Sequence, residues 1–305
     1  MNFKDALLGL FVMLIWGINF SVIKLGVSQT DPMLMTAIRF TLATVPLIFF
    51  VKKPNVPWRY LISYGVIFGV GVWGVASWSI TAGLSAGMAS VLLQTNVIFG
   101  LLIGFLVFQD KITANKVIGA LFAGCGLTLS LMATDGTITL QGVVLILISA
   151  LSWSLVSTIV KKSGTTQAFA FSIWGMAFAP VPLLIFALSL HGTGIITEAI
   201  EGWNRYTTFS VFFQAYPTTV FGYWVWNRLL LKYPLSTVAP VNLTVSVFGL
   251  MGGALFYGEP VGALQILAAS LILSGVLVIL LNPGRQSLVR MVMRLRRHAS
   301  SNASL

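Results

Sequence analysis

No charged residue stands between Arg59 and Asp110, and Val, Ile, Leu, Phe, Gly and Ala dominate the stretch they bracket. A helix in water needs a polar face opposite its apolar one, and this stretch has little polarity to supply it. The same pattern recurs along the chain. Of 305 residues, 57% are hydrophobic and only 8% are charged, and the mean hydropathy is +0.94. A soluble domain carries about 25% Asp, Glu, Lys and Arg. The composition therefore excludes a water-soluble globule, a disordered chain, a fibrous repeat and a disulfide-stapled scaffold. The single cysteine, Cys125, excludes an intrachain disulfide.

A bilayer-crossing helix takes roughly 20 mostly apolar residues. Ten such segments follow one another: 7–26, 32–51, 60–82, 86–108, 113–132, 139–160, 168–190, 207–230, 236–257 and 262–281. Turn signals separate them, among them Asp31-Pro32, Lys53-Pro54, Asp135-Gly136 and Tyr233-Pro234. The runs are too long for barrel strands and lack their alternation. The first run is too long for a signal-peptide core, and no small-x-small cleavage site precedes Lys24, so it is expected to remain as a helix. With the N-terminus in the cytoplasm, fifteen of the eighteen Lys and Arg residues fall on the cytoplasmic side, as the positive-inside rule requires. The net charge of +11 is then a topology signal, and nucleic acid is not expected as a partner. The basic tail from Arg285 to Arg297, with Leu288, Val292 and Leu295 interleaved, reads either as a plain cytoplasmic anchor or as an amphipathic helix on anionic lipid.

The sequence also repeats. FGLLIGFLVFQDKI from Phe99 matches FGLMGGALFYGEPV from Phe248, with acids Asp110 and Glu259 aligned and glycines Gly126 and Gly275 beyond them. Val45-Pro46-Leu47-Ile48 echoes Val181-Pro182-Leu183-Leu184, and Trp16 with Lys24 echoes Trp153 with Lys161. Four of five segment pairs match in order; the third and eighth do not align. Each half has an odd number of segments, so the second enters the membrane from the opposite side. That is the inverted-repeat plan of secondary transporters, with a site between the halves near the midplane. The expected fold is an all-α polytopic membrane protein of ten helices, as two inverted five-helix repeats around a central cavity. The halves are 4–132 and 137–281, and 282–305 is a basic tail.

No cluster with metal-ligand spacing, no Ser-His-Asp set and no Walker A lysine motif is present. No catalytic residue, metal or cofactor is expected, and the chain does not read as an enzyme. All seven acids lie at or beyond segment ends. This argues against a buried carboxylate as proton relay or as counter-ion for a cationic substrate. Polar groups at mid-depth mark a cavity, because lipid leaves them unsatisfied: Asn19, Gln94 and Asn96 in the first half and Asn242 in the second. Trp16 and Trp153 sit mid-helix at equivalent positions and read as cavity lining, with Tyr223 adding aromatic surface. Trp73 and Trp174 read as packing, and Trp58 and Trp203 as interfacial. Lys24 reads as snorkelling from a helix end. Arg39 lies about 10 Å into its helix at 1.5 Å per residue. It either bonds helix-end carbonyls or meets a substrate carboxylate, and the sequence does not choose. Pro217 and Pro240 free backbone carbonyls that a wet cavity would satisfy.

Trp16-Gly17-x-Asn19-Phe20, Ile38-Arg39-Phe40, Gly87-Met88-Ala89-Ser90 and the acid-bearing turns after the fourth and ninth segments resemble the EamA-type drug/metabolite transporters. The resemblance covers about residues 4–281 and is closest to bacterial exporters of cysteine and O-acetylserine. It implies ten helices, cytoplasmic termini and a basket-shaped cavity, with Trp16 and Trp153 as cavity aromatics and Gln94 on a lining helix. Asp110 stands where such relatives usually have Glu. The resulting expectation is an inner-membrane exporter of a small amino acid or related metabolite. Its partners are that small molecule and the lipid bilayer; the oligomeric state is open, with a monomer preferred. A broad exporter of hydrophobic or aromatic compounds is one alternative. A non-transporting sensor or assembly subunit is another, and would have a packed centre with Gln94 and Asn242 bonded to each other.

Overall fold

Helix starts follow the capping chemistry of the sequence. Asn2, Asp31, Ser85, Thr139 and Asn204 each accept a backbone N–H one to three residues into the helix that follows, satisfying donors that have no intrahelical partner. Pro32 occupies the first turn behind Asp31, where its missing N–H costs nothing. Gly164 and Gly258 close two helices with φ of 64° and 60°, the left-handed conformation glycine adopts without penalty.

The structure, a computed structural model, describes residues 2–109, 113–132, 138–233 and 241–280. Asp110, Asp135, Pro240 and the tail 282–305 lie outside the described residues. All regular structure among those described is helical. The elements are α1 (Phe3–Val27), α2 (Pro32–Ile48), α3 (Trp58–Thr81), α4 (Ala86–Phe108), α5 (Ala114–Met132), α6 (Leu140–Ser163), α7 (Ala168–His191), the short α8 (Gly194–Glu201), α9 (205–232), α10 (Thr244–Tyr257) and α11 (Ala263–Leu280). Helices α1, α3, α4, α6 and α7 are long and apolar enough to cross a bilayer, and α2, α5, α10 and α11 are shorter apolar helices. Helix α9 is more polar, carrying Thr207, Thr208, Gln214, Thr218 and Thr219.

Several helices are irregular, and the irregularities come in pairs. A π-helical stretch begins after nine residues of α3, at Ile67–Gly74, and another after nine residues of α9, at Gln214–Phe221. Helix α4 narrows to a 3₁₀ turn at Leu93–Thr95, and the helical backbone of 241–242 is interrupted at Leu243 before α10 begins. Carbonyls misaligned by a π turn accept bonds from other helices. Val72 O accepts from Ser149 Oγ of α6 at 2.8 Å, and Thr218 O accepts from Trp16 Nε1 of α1 at 2.9 Å. The π stretches thus relate α3 to α9, the pair that the sequence leaves unaligned.

Glycines set the closest packing. A Cβ on Gly17 would lie 2.7 Å from Val245 O and 2.9 Å from Gly249 N, so α1 and α10 touch backbone to backbone. Helices α5 and α11 do the same: a Cβ on Gly126 would lie 2.7 Å from Ala268 O, and one on Gly275 2.7 Å from Ala123 N. Close approach through small residues replaces the hydrophobic driving force that lipid does not supply.

The turns sort into two ends. At one, Asp5 meets Lys232 and Tyr233, Val51 O accepts from Trp174 Nε1, and Lys161 lies over the Phe108 ring at 3.7 Å. At the other, Thr139 bonds Ala82 O, Asn204 bonds Gln29, His191 pairs with Asp31 at 2.9 Å, and Lys24 pairs with Glu259 at 2.7 Å. Lys24 is therefore an ion-pair partner, where the sequence suggests a side chain reaching for water. Glu259 also accepts from Ala86 N at 2.9 Å and Gly87 N at 3.0 Å, capping α4 with a carboxylate where the helix dipole favours one.

Candidate functional site

The breaks in α4 and before α10 face each other midway along the bundle, where the irregular backbone meets the first helices of both halves. Trp16, Phe20, Trp73, Ser90, Leu93, Gln94, Asn96, Trp153, Thr218, Tyr223, Asn242 and Val245 line a cavity of about 50 Å³ there. Six of the eight candidate site residues meet in its wall: Trp16, Gln94, Asn96, Trp153, Tyr223 and Asn242.

Trp16 reaches the cavity because its partner helix has no side chain in the way. A Cβ on Gly222 would collide with the indole, so the ring lies against α9, bonds Thr218 O and packs on Tyr223 and Trp226 at 5.3 and 5.7 Å. Trp153 packs on Phe68 and Trp73 at 5.8 and 5.7 Å. Phe68 also contacts Phe40, Tyr64 and Tyr223, so an aromatic cluster closes the cavity on the α3 side.

The amides follow from the helix breaks. Asn96 Nδ2 donates to Leu93 O at 2.7 Å, adding a side-chain bond at the 3₁₀ turn, and Asn96 O accepts from Ser154 Oγ at 2.6 Å. Gln94 Nε2 donates to Asn242 O at 3.2 Å, joining the two broken segments across the site. The contact is to the Asn242 backbone, so both amide side chains stay in the cavity wall. Ser246 Oγ bonds Ser90 O at 3.0 Å. The wall offers aromatic faces, three amides and three hydroxyls, those of Ser90, Thr218 and Tyr223, and no Asp, Glu, Lys, Arg or His. Such a wall can hydrogen-bond both ends of a small zwitterion, or a neutral polar metabolite, while covering its apolar part.

Asn19 and Arg39 are not among the lining residues. Asn19 is fully buried and accepts from Thr218 Oγ1 at 3.0 Å, positioning the residue whose carbonyl holds Trp16. Arg39 is fully buried. Its Nη1 donates to Gln214 Oε1 at 3.1 Å and its Nη2 to Thr219 Oγ1 at 3.3 Å, and its guanidinium lies over the rings of Trp73 and Phe40 at 4.6 and 4.9 Å. In place of helix-end carbonyls, its partners are an amide, a hydroxyl and two aromatic faces, and it spans the π stretch of α9. Trp73 corrects the sequence reading: it lines the cavity with Arg39 stacked on it, where packing alone is expected. Phe20, Ser90 and Thr218 are further lining residues absent from the sequence candidates. Ser90 ends the Gly87-Met88-Ala89-Ser90 motif and Thr218 follows Pro217, so both had signals. Trp174 packs at the helix end with Trp58, as expected.

The profile of the EamA-like transporter family matches residues 4–132 and again 140–281. This chain belongs to the EamA-like transporter family. Among curated relatives of this EamA chain, a protein of Salmonella typhimurium and one of Escherichia coli, each named a probable amino-acid metabolite efflux pump, are 32% identical to it over 91% of this chain and 95% of their own. A Bacillus subtilis protein named only as a transporter is 27% identical over 87% of this chain and 92% of its own. A crystal structure with 15% identity superposes at a TM-score of 0.61 over 90% of the EamA chain and 95% of its own, which speaks to the fold alone. The family is one of transporters and gives no support to an enzyme.

Proposed function

We propose that the chain is a secondary transporter that exports a small amino acid or similar metabolite, of the cysteine or O-acetylserine kind, across the bacterial inner membrane. Ten helices in two inverted halves, 4–132 and 137–281, alternate access around the cavity between Trp16 and Trp153, with both termini in the cytoplasm. The observation that carries this reading is the cavity itself: equivalent helices of the two halves place a tryptophan on each side of it, and three amides converge there. The names of the 32%-identical relatives supply the substrate class. Liganded small-molecule pockets are about 300–1,000 Å³, so a cavity of about 50 Å³ must widen to hold cargo. No acid lines it, so transport is expected to run without a buried carboxylate as proton carrier.

The five aromatic rings of the wall favour a second reading, a broad exporter of hydrophobic or aromatic compounds. Proteoliposome flux separates the two. Labelled cysteine, O-acetylserine, other amino acids and aromatic amines would be followed with and without a pH gradient, with Trp16→Ala as control. Flux confined to one or a few small amino acids, lost in Trp16→Ala and indifferent to the gradient, supports the first reading. Flux of aromatic amines alone selects the second, and gradient-driven flux rejects the uncoupled mechanism. If nothing moves in folded protein, the amino-acid assignment fails.

A further inference from the structure

One cleft is larger than the central cavity. It has a volume of about 750 Å³ and opens at the end of the bundle that carries Asp5. The turn after α2, the start of α7 and the last turns of α9 form it, and Lys52, Arg228 and Lys232 stand in its wall without any Asp or Glu among the lining residues. Asp5, at the same end, is bonded to Lys232 at 2.5 Å. Lys52 and Arg228 are exposed on the cleft.

Two further features of the cleft call for an acceptor. The first turn of α7, Ala168 to Ala170, lines it, and no side chain caps that helix start. Its first backbone N–H groups have no intrahelical partner, and the helix dipole adds positive potential where they point. Asn227 also lines the cleft, is 8% exposed, and its Nδ2 has no hydrogen-bond partner. A buried amide donor left unpaired is costly, so this one lacks an acceptor. Beside these donors the wall is apolar, from Val51, Phe169 and Trp224.

We propose that this cleft binds an anionic group, carboxylate or phosphate, attached to an apolar body. Asn227 Nδ2, the N–H groups at the start of α7 and the Arg228 guanidinium hold the anion, and the apolar wall holds the body. Asn227 lies one helical turn beyond Tyr223, which lines the central cavity, so the cleft is an antechamber on the same face of α9. It rests on the transporter reading only for its orientation toward the cytoplasm; the binding chemistry stands without it. The anion has two sources: a cytosolic metabolite or a phospholipid headgroup of the same leaflet.

The test uses the full-length protein in neutral maltoside detergent, read by calorimetric titration and by thermal shift. The probes are octanoate, dioctanoyl-phosphatidylglycerol and, as the zwitterionic control, dioctanoyl-phosphatidylcholine. Saturable binding of either anionic probe, weakened about tenfold or more in Arg228→Gln and in Asn227→Leu but not in Arg205→Gln at the opposite end, supports the site. Octanoate binding identifies the metabolite source, and binding of phosphatidylglycerol alone identifies lipid. Absence of binding by both anionic probes overturns the proposal, as does binding that both cleft variants leave unchanged or equal affinity for the phosphatidylcholine probe. Arg228 is exposed, so its variant folds even if Asn227→Leu does not. The readout needs no flux, so failure here and failure of the transport assay are distinguishable.

Discussion

A single atom decides whether α1 can meet α10. Gly17 presents bare backbone to Val245 O and Gly249 N at distances no side chain tolerates, and neither backbone atom can give way without moving a helix. Gly17→Val is therefore expected to destabilise the fold by about 1–3 kcal/mol or more through overpacking. Loss of monodisperse protein or a lowered melting temperature in detergent would show it, and an unchanged melting curve would mean that the helices are not this close. Ser154, which stands where Gly17 stands in the other half, instead donates to Asn96 O. The two sites solve the same contact with a close approach and with a hydrogen bond. Trp16 is a second residue-scale case. Its indole combines a bond to Thr218 O with contacts on Tyr223 and Trp226. Trp16→Phe keeps the aromatic face and loses the bond. It should retain part of the flux that Trp16→Ala abolishes, and equal loss in both would assign Trp16 to the bond alone.

At the scale of the element, the π stretches show what a sequence can and cannot reveal. Apolar runs, caps and the motif pairs around Trp16 and Trp153 carried the all-helical membrane fold and six of the twelve residues in the cavity wall, because lipid forces long uncharged segments and a repeat places like with like. IFGVGVWG and QAYPTTVF share no comparable pattern. Their common geometry comes from partners in other helices: Gly69, Gly71 and Gly74 make room for Ala179, Ser152 and Leu183, whereas Arg39 bridges Gln214 and Thr219. The role of Arg39 was hidden for the same reason, since its partners lie far away in sequence. This gives a sharp expectation. Thr219 Oγ1 donates to Gln214 O at 2.7 Å while accepting from Arg39, so Thr219→Val removes the clamp on the π stretch and leaves a buried guanidinium short of an acceptor. A loss of about 1–3 kcal/mol is expected, read as a lowered melting temperature. Thr207→Val is the control, because the buried Thr207 hydroxyl has no partner. If both variants melt alike, Arg39 does not hold the π geometry.

For the molecule as a whole, the two ends bear on the proposed transport cycle. If access alternates as proposed, each end must open in turn, and a charged contact joins helices at each. Hydrogen bonds from Lys232 and then Tyr233 hold Asp5 below its usual pKa of 3.8. A carboxylate whose pKa is lower in the folded state stabilises that state above the usual carboxylate range, and the contribution disappears as pH falls through the lowered value. The melting difference between wild type and Asp5→Asn should thus be present at pH 7 and shrink as the pH falls toward 3, and a difference independent of pH would remove charge from the account of that contact. The opposite end depends on Glu259, which ties Lys24 of α1 to the N-terminus of α4. Glu259→Gln removes the ion pair and exchanges charge-assisted bonds for neutral ones, which are weaker by about 1 kcal/mol or more. If this network holds only the closed arrangement, an energy change near 1.4 kcal/mol shifts the population about tenfold toward opening at that end. A cysteine at Asn96 in a Cys125→Ser background reports the shift: a membrane-impermeant maleimide should label Glu259→Gln faster from the Glu259 side and no faster from the Asp5 side. Faster labelling from both sides would mean that the substitution loosens the fold instead of opening one gate. Equal labelling of variant and parent would remove Glu259 from the gating mechanism and leave it as a helix cap alone.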